Sequence, residues 1–275
     1  MEQTGKRMGK VRFKERGIWE QMKWILVVST CLFAALCVVI YVATRKIVNN
    51  VANEHTQITA LRLQATIEAD YDRMQNFCLN INSEDTILEI MGSDYDGISR
   101  YVSEALEVLT SYKLLETSLT DISLVNDRIH YSSLFTYETL ESIRKMVGDS
   151  SFVWIGLLDR EFVPAQDKTQ VLTFAGTIVD QGENLGVVIY SIDSATLQIE
   201  DEDAMNSFYF LADENGGVSP LNCSDDDAAA VYEIWTEGGY NDEFRSGSYY
   251  IHSYYLSEMG IWLVAAKGLL RQISR

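Results

Sequence analysis

Four residues with aromatic rings or hydroxyl groups lie on segments that have the composition of β-strands. Tyr131 and Ser133 lie in RIHYSS, Trp154 lies in FVWIGLL, and Thr173 lies in VLTFAGTIV. Aromatic rings can wall a small-molecule pocket, and hydroxyls can donate and accept hydrogen bonds inside it. These residue types predict reversible binding rather than covalent chemistry. Each of the four residues could equally belong to an apolar core or its rim, so the sequence leaves both roles open.

The sequence contains no recognisable catalytic set. Its three histidines, His55, His130 and His252, lie far apart and lack the spacing of metal ligands. Neither GxxxxGK[ST] nor GxSxG occurs in the chain. The acidic runs Asp201–Asp203 and Asp225–Asp227 lack the Asp-x-Asp-x-Asp-Gly spacing of a calcium loop. We therefore predict no enzymatic activity, no metal site and no cofactor.

An uncharged segment near the N-terminus predicts a membrane span. Trp24–Ala43 contains twenty residues without a charge, Pro or Gly, and as a helix it would cover about 30 Å. The alternative is a cleaved signal peptide, whose apolar region is usually only about 7–15 residues long. A cut after Ala43 would also place the bulky Tyr41 at the third position upstream. We therefore expect an uncleaved anchor in the lipid bilayer.

The distribution of basic residues predicts the orientation of this span. Residues 1–23 contain seven Lys and Arg, whereas only Arg45 and Lys46 follow the span closely. Basic residues next to a span stay in the cytoplasm. We expect the N-terminus to be cytoplasmic and residues from about 47 onward to be extracytoplasmic at the cell membrane.

The outer part of the chain is strongly acidic. Residues 47–275 contain 13 Lys and Arg and 37 Asp and Glu, which gives a net charge of −24, against −18 for the whole chain. Binding to nucleic acid relies on basic residues that neutralise phosphates, so this charge argues against a nucleic-acid partner. The outer part is also rich in Tyr, Phe, Ile, Leu and Val, and should therefore fold.

A long helix should follow the span, from Ile47 to Ile81. This segment has no Pro or Gly, and it carries a mostly apolar stripe with helical spacing. The stripe comprises Val48, Val51, His55, Ile58, Leu61, Ala65, Met74 and Phe77. The stripe could pair with that of a second copy in a homodimer, or it could pack on its own domain. Both alternatives stay open.

The rest of the outer part predicts two small antiparallel sheets, each with a helix. The first group has helices at 85–91, 98–115 and 137–147 and strands at 121–125, 128–133, 152–158, 171–179 and 185–192. The second group has strands at 207–212, 218, 248–256 and 259–267, with helices at 195–199 and 225–235. The tail 268–275 begins another helical pattern. The fold class is therefore α+β, with two PAS-like subdomains.

In this order of elements the chain resembles the double-Cache extracytoplasmic sensor region of bacterial membrane receptors, and most closely that of the YesM-type sensor histidine kinases. The features that carry the resemblance are the N-terminal span, the long helix 47–81, HYSS at His130–Ser133, and three longer stretches. These stretches are TFAGTIVDQGENLGVVIYSID at Thr173–Asp193, FYFLADENGG at Phe208–Gly217 and MGIWLVAAK at Met259–Lys267. The resemblance extends over residues 15–270 and rests on pattern and order.

The resemblance implies a division of the chain into functional segments. These are a cytoplasmic tail (1–23), the span (24–43), a stalk helix (44–81), a membrane-distal sensor subdomain (82–195), a membrane-proximal subdomain (196–268) and a tail (269–275). In the family the distal sheet holds a small ligand, and the proximal sheet relays the change to a second span and a kinase. Because the sequence ends at Arg275, where the second span should begin, we expect either a fragment or degenerate relative of such a receptor, or a chain that acts through a partner chain.

The sequence also limits the ligand and the function. Members of the family that bind amino acids have an Arg near a Trp–Tyr pair, whereas SSFVWIG has no Arg before Trp154. We therefore expect a neutral or cationic ligand instead of an amino acid. The main hypothesis is a sensory ligand-binding module of a signalling receptor. The alternative is a membrane-anchored interaction or scaffold domain without a small ligand, and an exported hydrolase is the least supported. Cys78 and Cys223 could form a disulfide or be buried separately.

Overall fold

The computed structural model describes residues 4–93, 98–116, 118–148, 150–162, 170–194, 197, 199, 207–246 and 249–268. The chain divides into two compact units, Met1–Glu54 and His55–Arg275. The second unit contains two five-stranded antiparallel sheets, which confirms the predicted α+β class. The helix predicted over 195–199 falls mostly outside the described residues, and the tail over 269–275 falls entirely outside them.

Five helices are described, and their bounds follow the sequence prediction closely. They are α1 (Thr4–Ile81), α2 (Asp85–Gly92), α3 (Ile98–Leu115), α4 (Tyr137–Val147) and α5 (Asp225–Glu237). Helix α1 contains the apolar segment Trp24–Ala43, none of whose residues is buried. Among the described residues, α1 is the one helix that is long and apolar enough to cross a membrane.

The first sheet has the strand order β2-β1-β5-β4-β3. Its strands are β1 (Leu119–Val125), β2 (His130–Tyr131), β3 (Phe152–Asp159), β4 (Gln170–Asp180) and β5 (Glu183–Asp193). The prediction made β2 too long, since only two of the six residues in RIHYSS pair with β1. Gln181 and Gly182, with φ of 49° and 89°, form the two-residue turn between β4 and β5. Two positive φ values are typical of the type I′ turn that suits the twist of a hairpin.

The second sheet has the corresponding order, β7-β6-β10-β9-β8. Its strands are β6 (Ser207–Asp213), β7 (Val218–Pro220), β8 (Glu243–Ser246), β9 (Tyr249–Leu256) and β10 (Ile261–Gly268). The sequence analysis missed β8, because EFRS shows no alternation long enough to indicate a strand. The acidic run Asp225–Asp227 forms the first turn of α5, where the Ser224 hydroxyl accepts a hydrogen bond from the Asp227 amide at 3.1 Å. Acidic residues stabilise a helix N-terminus, which explains this run without a metal. The other run, Asp201–Asp203, lies outside the described residues.

The first sheet buries both of its faces. One face, here called the stalk face, packs against α1 through a cluster that continues under the second sheet. Its members on the two sheets and on α1 include Leu172, Phe174, Tyr190, Tyr209, Leu263, Leu63, Ile67 and Met74. The opposite face, here called the α4 face, packs against Leu140 and Ile143 of α4. Because successive residues of a strand point to opposite faces, the two clusters alternate along β4 and β5.

The stripe predicted along the helix after the span divides into two parts. Met74 is completely buried in the core, and Phe77 packs edge-on against Tyr112 with ring centroids 5.8 Å apart. Ile58 and Leu61, in contrast, are 58% and 47% exposed. The C-terminal part of the stripe therefore packs on its own domain, as one alternative predicted, and the N-terminal part stays uncovered.

Candidate ligand-binding site

Three polar side chains form a row across neighbouring strands of the first sheet. Asp121 on β1 lies opposite Ser191 on β5, and Ser191 lies opposite Thr173 on β4. All three alternate with residues of the stalk face, so they point to the α4 face. Asp121 is 2% exposed and the other two are completely buried. We call these three residues the polar row. Since buried polar groups normally have hydrogen-bond partners, their partners indicate what the row can do.

The carboxylate of Asp121 is already fully engaged by its neighbours. It accepts hydrogen bonds from the hydroxyls of Ser133 at 2.6 Å, Ser123 at 2.7 Å and Ser132 at 3.2 Å, and from the Ser133 amide at 3.2 Å. The ammonium group of Lys113 lies 3.9 Å away. Hydrogen bonds to a charged acceptor are the stronger kind. Asp121 therefore fixes the segment that follows β2 over the end of the row.

The neighbouring groups, in contrast, retain hydrogen-bonding capacity. The Ser191 hydroxyl and the Nε of Arg160 are buried and have no hydrogen-bond partner among the described residues. The Arg160 Nη2 pairs with Asp193 at 2.6 Å. Asp193 is two residues beyond Ser191 on the same face of β5, so the guanidinium lies next to the row. The Thr173 hydroxyl reaches only the Val171 carbonyl, at a long 3.4 Å. The site therefore offers one N–H donor and two weakly used hydroxyls.

A set of polar contacts closes this end of the α4 face. The Glu161 amide donates to the Leu134 carbonyl at 3.0 Å. Its carboxylate accepts from the Thr139 hydroxyl at 2.6 Å and from the Thr136 amide. Burial acts to raise the pKa of Glu161, but these hydrogen bonds outweigh it, and the pKa is lowered. The ionised carboxylate thus holds the segment after β3 against the segment before α4.

The structure brings together two of the four residues predicted from the sequence. Thr173 belongs to the polar row, and Ser133 binds Asp121 at its edge. Trp154 lies on the stalk face, where its ring meets Phe174 edge-on with centroids 5.1 Å apart. The participation of these residues in ligand binding stays a prediction.

Tyr131 lies partly buried and packs against the cluster of the stalk face. Burial and, to a smaller extent, the charge of Asp121 raise the pKa of Tyr131. Its hydroxyl is therefore a neutral donor at physiological pH. Like Trp154, it is separated by the sheet from Thr173.

The sequence analysis did not identify Ser191, Arg160 or Asp121. A signal for Ser191 was present, since it is the one small polar residue among the apolar and aromatic residues of VVIYSI. Arg160 directly follows a strand in an acidic domain, which is also unusual. Nothing local, however, indicates that these side chains meet, because β3 and β5 are separated by β4.

Packing and pairing within the fold account for His130, His252 and the two cysteines outside the apolar segment. His130 pairs with Glu141 at 2.9 Å, whereas His252 lies in the second sheet and is 1% exposed. Within the described part of the chain, no three His, Cys, Asp or Glu side chains form a group that could hold a metal ion. Cys78 and Cys223 are both free thiols. Burial raises the pKa of each to about 11, so neither is a reactive thiolate.

Three solved structures share this architecture at low sequence identity. The extracellular domain of a proposed histidine kinase, vpHK1S-Z8, has a TM-score of 0.56 and 12% identity, covering 80% of this chain and 96% of its own. The sensor domain of the Vibrio cholerae histidine kinase DctB has a TM-score of 0.53 and 12% identity, covering 81% and 99%. The ligand-binding domain of the Campylobacter jejuni chemoreceptor Tlp3, in complex with 4-methylisoleucine, has a TM-score of 0.50 and 12% identity, covering 82% and 94%.

Comparison with protein-family models and with curated sequences gives no match. The fold is therefore established by structure alone, and the closeness to YesM-type kinases stays a prediction. With its apolar N-terminal helix and two sheets of corresponding order, the chain has the double-Cache, PAS-like fold of the sensor domains of histidine kinases and chemoreceptors.

Proposed function

We propose that the chain is a membrane-anchored extracytoplasmic sensor module that binds a small molecule on the α4 face of the first sheet. The observation that carries this proposal is the completely buried Ser191 hydroxyl, next to the Nε of Arg160, since neither group has a hydrogen-bond partner within the described part of the chain. An unpaired buried polar group costs about 1–3 kcal/mol. A ligand that supplies the missing hydrogen bonds would recover this free energy on binding.

The open groups favour a neutral polar ligand. Both carboxylates near the row are engaged, Asp121 by serine hydroxyls and Asp193 by Arg160. An ammonium group would therefore find no open carboxylate there. A carbonyl or hydroxyl oxygen could accept from the Arg160 Nε and exchange hydrogen bonds with Ser191 and Thr173. This chemistry agrees with the sequence-based expectation that the ligand is not an amino acid.

Thermal unfolding of the full chain in detergent micelles tests this function. Neutral sugars, polyols and amides would be compared with amino acids and dicarboxylates. We expect stabilisation by neutral polar compounds, with the shift lost in Ser191→Ala and kept in Ser219→Ala, a hydroxyl of the second sheet. Stabilisation by dicarboxylates alone would contradict the proposed ligand. The complete absence of a stabilising compound would favour the alternative, an interaction or scaffold domain.

The membrane topology is part of the same proposal. Trp24–Ala43 would cross the bilayer, with residues 1–23 in the cytoplasm and residues 44–81 as the stalk helix. Residues 82–195 would form the distal sensor, and residues 196–268 the proximal subdomain. Single cysteines placed at exposed positions on each side of the span, and labelled with a membrane-impermeant reagent, measure this orientation. Labelling of the N-terminal side in intact cells would contradict it.

The uncovered part of the helical stripe supports a homodimer through the stalk. Val51, Ile58 and Leu61 are 59%, 58% and 47% exposed, with spacings of seven and three residues. These are the spacings of the a and d positions of a coiled coil. Disulfide crosslinking of Ile58→Cys in membranes should trap a dimer, whereas Met146→Cys, at an exposed position of α4 away from the stalk, should crosslink poorly. Equal crosslinking at both positions would contradict pairing through this seam.

A further inference from the structure

A cavity lies at the opposite end of the α4 face from the polar row. It is a cleft of about 680 Å³, within the size range of small-molecule pockets. Four elements surround it: the turn after β1, the C-terminal half of α4, the start of β5 and the end of α2. The residues that line this cleft are not part of the proposed ligand site.

The floor of this cleft is rigid. The Asn126 side chain donates to the Met91 carbonyl at 3.0 Å and accepts from the amides of Arg128 and Ile129 at 2.8 and 2.7 Å. Gly186 has a φ of 151°, and a Cβ there would lie 2.6 Å from the Val125 carbonyl oxygen. Only glycine lets β5 pass this close to β1. The cleft is therefore held open by fixed backbone and does not depend on mobile side chains.

The walls of the cleft concentrate positive charge in an otherwise acidic domain. Arg128, Arg144 and Lys145 line it, together with two carboxylates. One of these, Glu141, is held by His130 at 2.9 Å, and this hydrogen bond is the main reason that its pKa is lowered. Lys145 is exposed and forms no salt bridge with the described residues. The surrounding net charge of −24 over residues 47–275 makes this excess of basic groups a local exception.

The second carboxylate, that of Asp127, forms an ion pair with Arg144, the principal basic residue of the cleft. Its Oδ1 lies 2.6 Å from Nη2 of Arg144, yet the Asp127 side chain is 86% exposed. Arg144 is more enclosed, at 30%, and is also steadied by Glu141 at 3.4 Å. An exposed ion pair has little net stability. A ligand anion could therefore displace Asp127 from Arg144 without unfolding the cleft.

We propose that this cleft is a second binding site, for a small anion that bears a carboxylate or a phosphate group. Arg144 binds the anion through its planar guanidinium, and Lys145 and Arg128 add charge from the two walls. Asp127 competes with the ligand for Arg144 and so sets the affinity. The site is independent of the polar row, since the two lie at different ends of β5 and share no residue.

Isothermal titration of the full chain in a neutral detergent tests this proposal, with sodium phosphate and sodium malonate as separate probes at constant ionic strength. We expect one of the two to bind more tightly, which identifies the group that the cleft prefers. Asp127→Asn should tighten that binding about three- to tenfold, because the competitor loses its charge. A purely structural role for the ion pair predicts no such gain.

Two further variants and two controls complete the experiment. Arg144→Gln and Lys145→Gln should each weaken binding, the first by about tenfold or more. Lys145 is exposed, so its variant remains informative if the Arg144 variant fails to fold. Ser191→Ala and Arg245→Gln, an exposed arginine of the second sheet, should leave the affinity unchanged. Any one of three results overturns the proposal. The first is that neither probe gives a heat of binding at a 10-fold molar excess or more. The others are that Asp127→Asn does not raise the affinity, or that Lys145→Gln has the affinity of the wild type.

Discussion

The two sheets have the same strand order and each packs one helix on the face away from α1, but the polarity of that face differs. In the first sheet the polar row crosses the central strand at Ser191, two residues before this strand ends. The corresponding row of the second sheet crosses β10 at Ala266, also two residues before the strand ends. There Ala266 lies opposite Phe208 and Ile251. The same place in the fold is thus polar in one sheet and apolar in the other.

The helix face of the second sheet is filled by aromatic side chains. Trp235 of α5 is completely buried and meets Trp262 with ring centroids 5.5 Å apart. On the other side of this sheet, towards α1, the hydroxyls of Thr56 and Ser207 are 3.1 Å apart. The buried Ser253, on the helix face, already donates a hydrogen bond to the Asn241 carbonyl at 3.0 Å. The comparison teaches that the same strand order can carry a row of buried polar side chains on its helix face in one sheet and a packed aromatic cluster in the other.

Loss of the Asp121 carboxylate should have the largest effect. Asp121→Asn should lower the free energy of unfolding by about 3 kcal/mol, because several hydrogen bonds to a charged acceptor are weakened together. Chemical denaturation followed by tryptophan fluorescence measures this change. Asp127→Asn, an exposed carboxylate in a surface ion pair, should cost less than about 1 kcal/mol. Equal effects of the two substitutions would show that Asp121 does not anchor the segment after β2.

A hydroxyl placed in the apolar row through Ala266 of the second sheet should destabilise the protein as the Ser191 hydroxyl does, without adding a ligand-binding group. Ala266→Ser puts an unpartnered hydroxyl at the position corresponding to Ser191, and should destabilise the protein by about 2 kcal/mol. The same measurement on Ala230→Ser, an exposed position of α5, should give a change of about 0.5 kcal/mol. If Ala266→Ser left the free energy of unfolding unchanged, the surroundings of the two rows would differ less in polarity than the packing indicates.

Removal of the Ser191 hydroxyl should have a smaller effect of opposite sign. Without ligand, Ser191→Ala should stabilise the protein by about 1 kcal/mol, because it removes a buried hydroxyl that no described residue hydrogen-bonds. Ser123→Ala in the same sheet should destabilise it, since the Ser123 hydroxyl donates to Asp121 at 2.7 Å. Denaturation of both variants in the absence of ligand checks the signs. Destabilisation by Ser191→Ala would mean that its hydroxyl is already satisfied.

The smallest expected effect is a pH dependence of the second sheet. Burial lowers the pKa of His252, and the nearby Glu243 offsets part of this shift. The neutral imidazole therefore contributes stability that is fully present above the unfolded pKa of about 6.5, and that is lost as the pH falls towards the lowered folded pKa. The thermal midpoint should decrease between pH 7 and pH 5, and less so in His252→Gln. Identical pH profiles would exclude His252 as the source.

Local patterns predicted the elements of the chain well. Helices α3 and α4 begin and end at the predicted residues, and β4 and β5 differ from prediction by one or two residues at each end. Apolar periodicity and turn residues, which are local properties, define these segments. Strand β8 lacked such a pattern and was missed, and β2 was predicted too long.

The candidate site was predicted only in part. Trp154 and Thr173 were both expected in one pocket, but a bulge between Trp154 and Gly156 sets the register of β3 against β4. Trp154 consequently pairs with Phe174 and points to the stalk face, away from Thr173. A change of one residue in register moves a side chain across the sheet, and a single sequence does not contain this information.

The sequence alone determined the apolar segment Trp24–Ala43, the acidity of residues 47–275, the order of helices and strands, and the class of fold, because each follows from composition or local spacing. The tertiary structure decided which polar groups remain open. Ser133 and Ser191 have the same side chain, yet the first binds Asp121 and the second has no partner among the described residues. This difference arises because a hydrogen bond depends on which groups meet across strands that are distant in the chain.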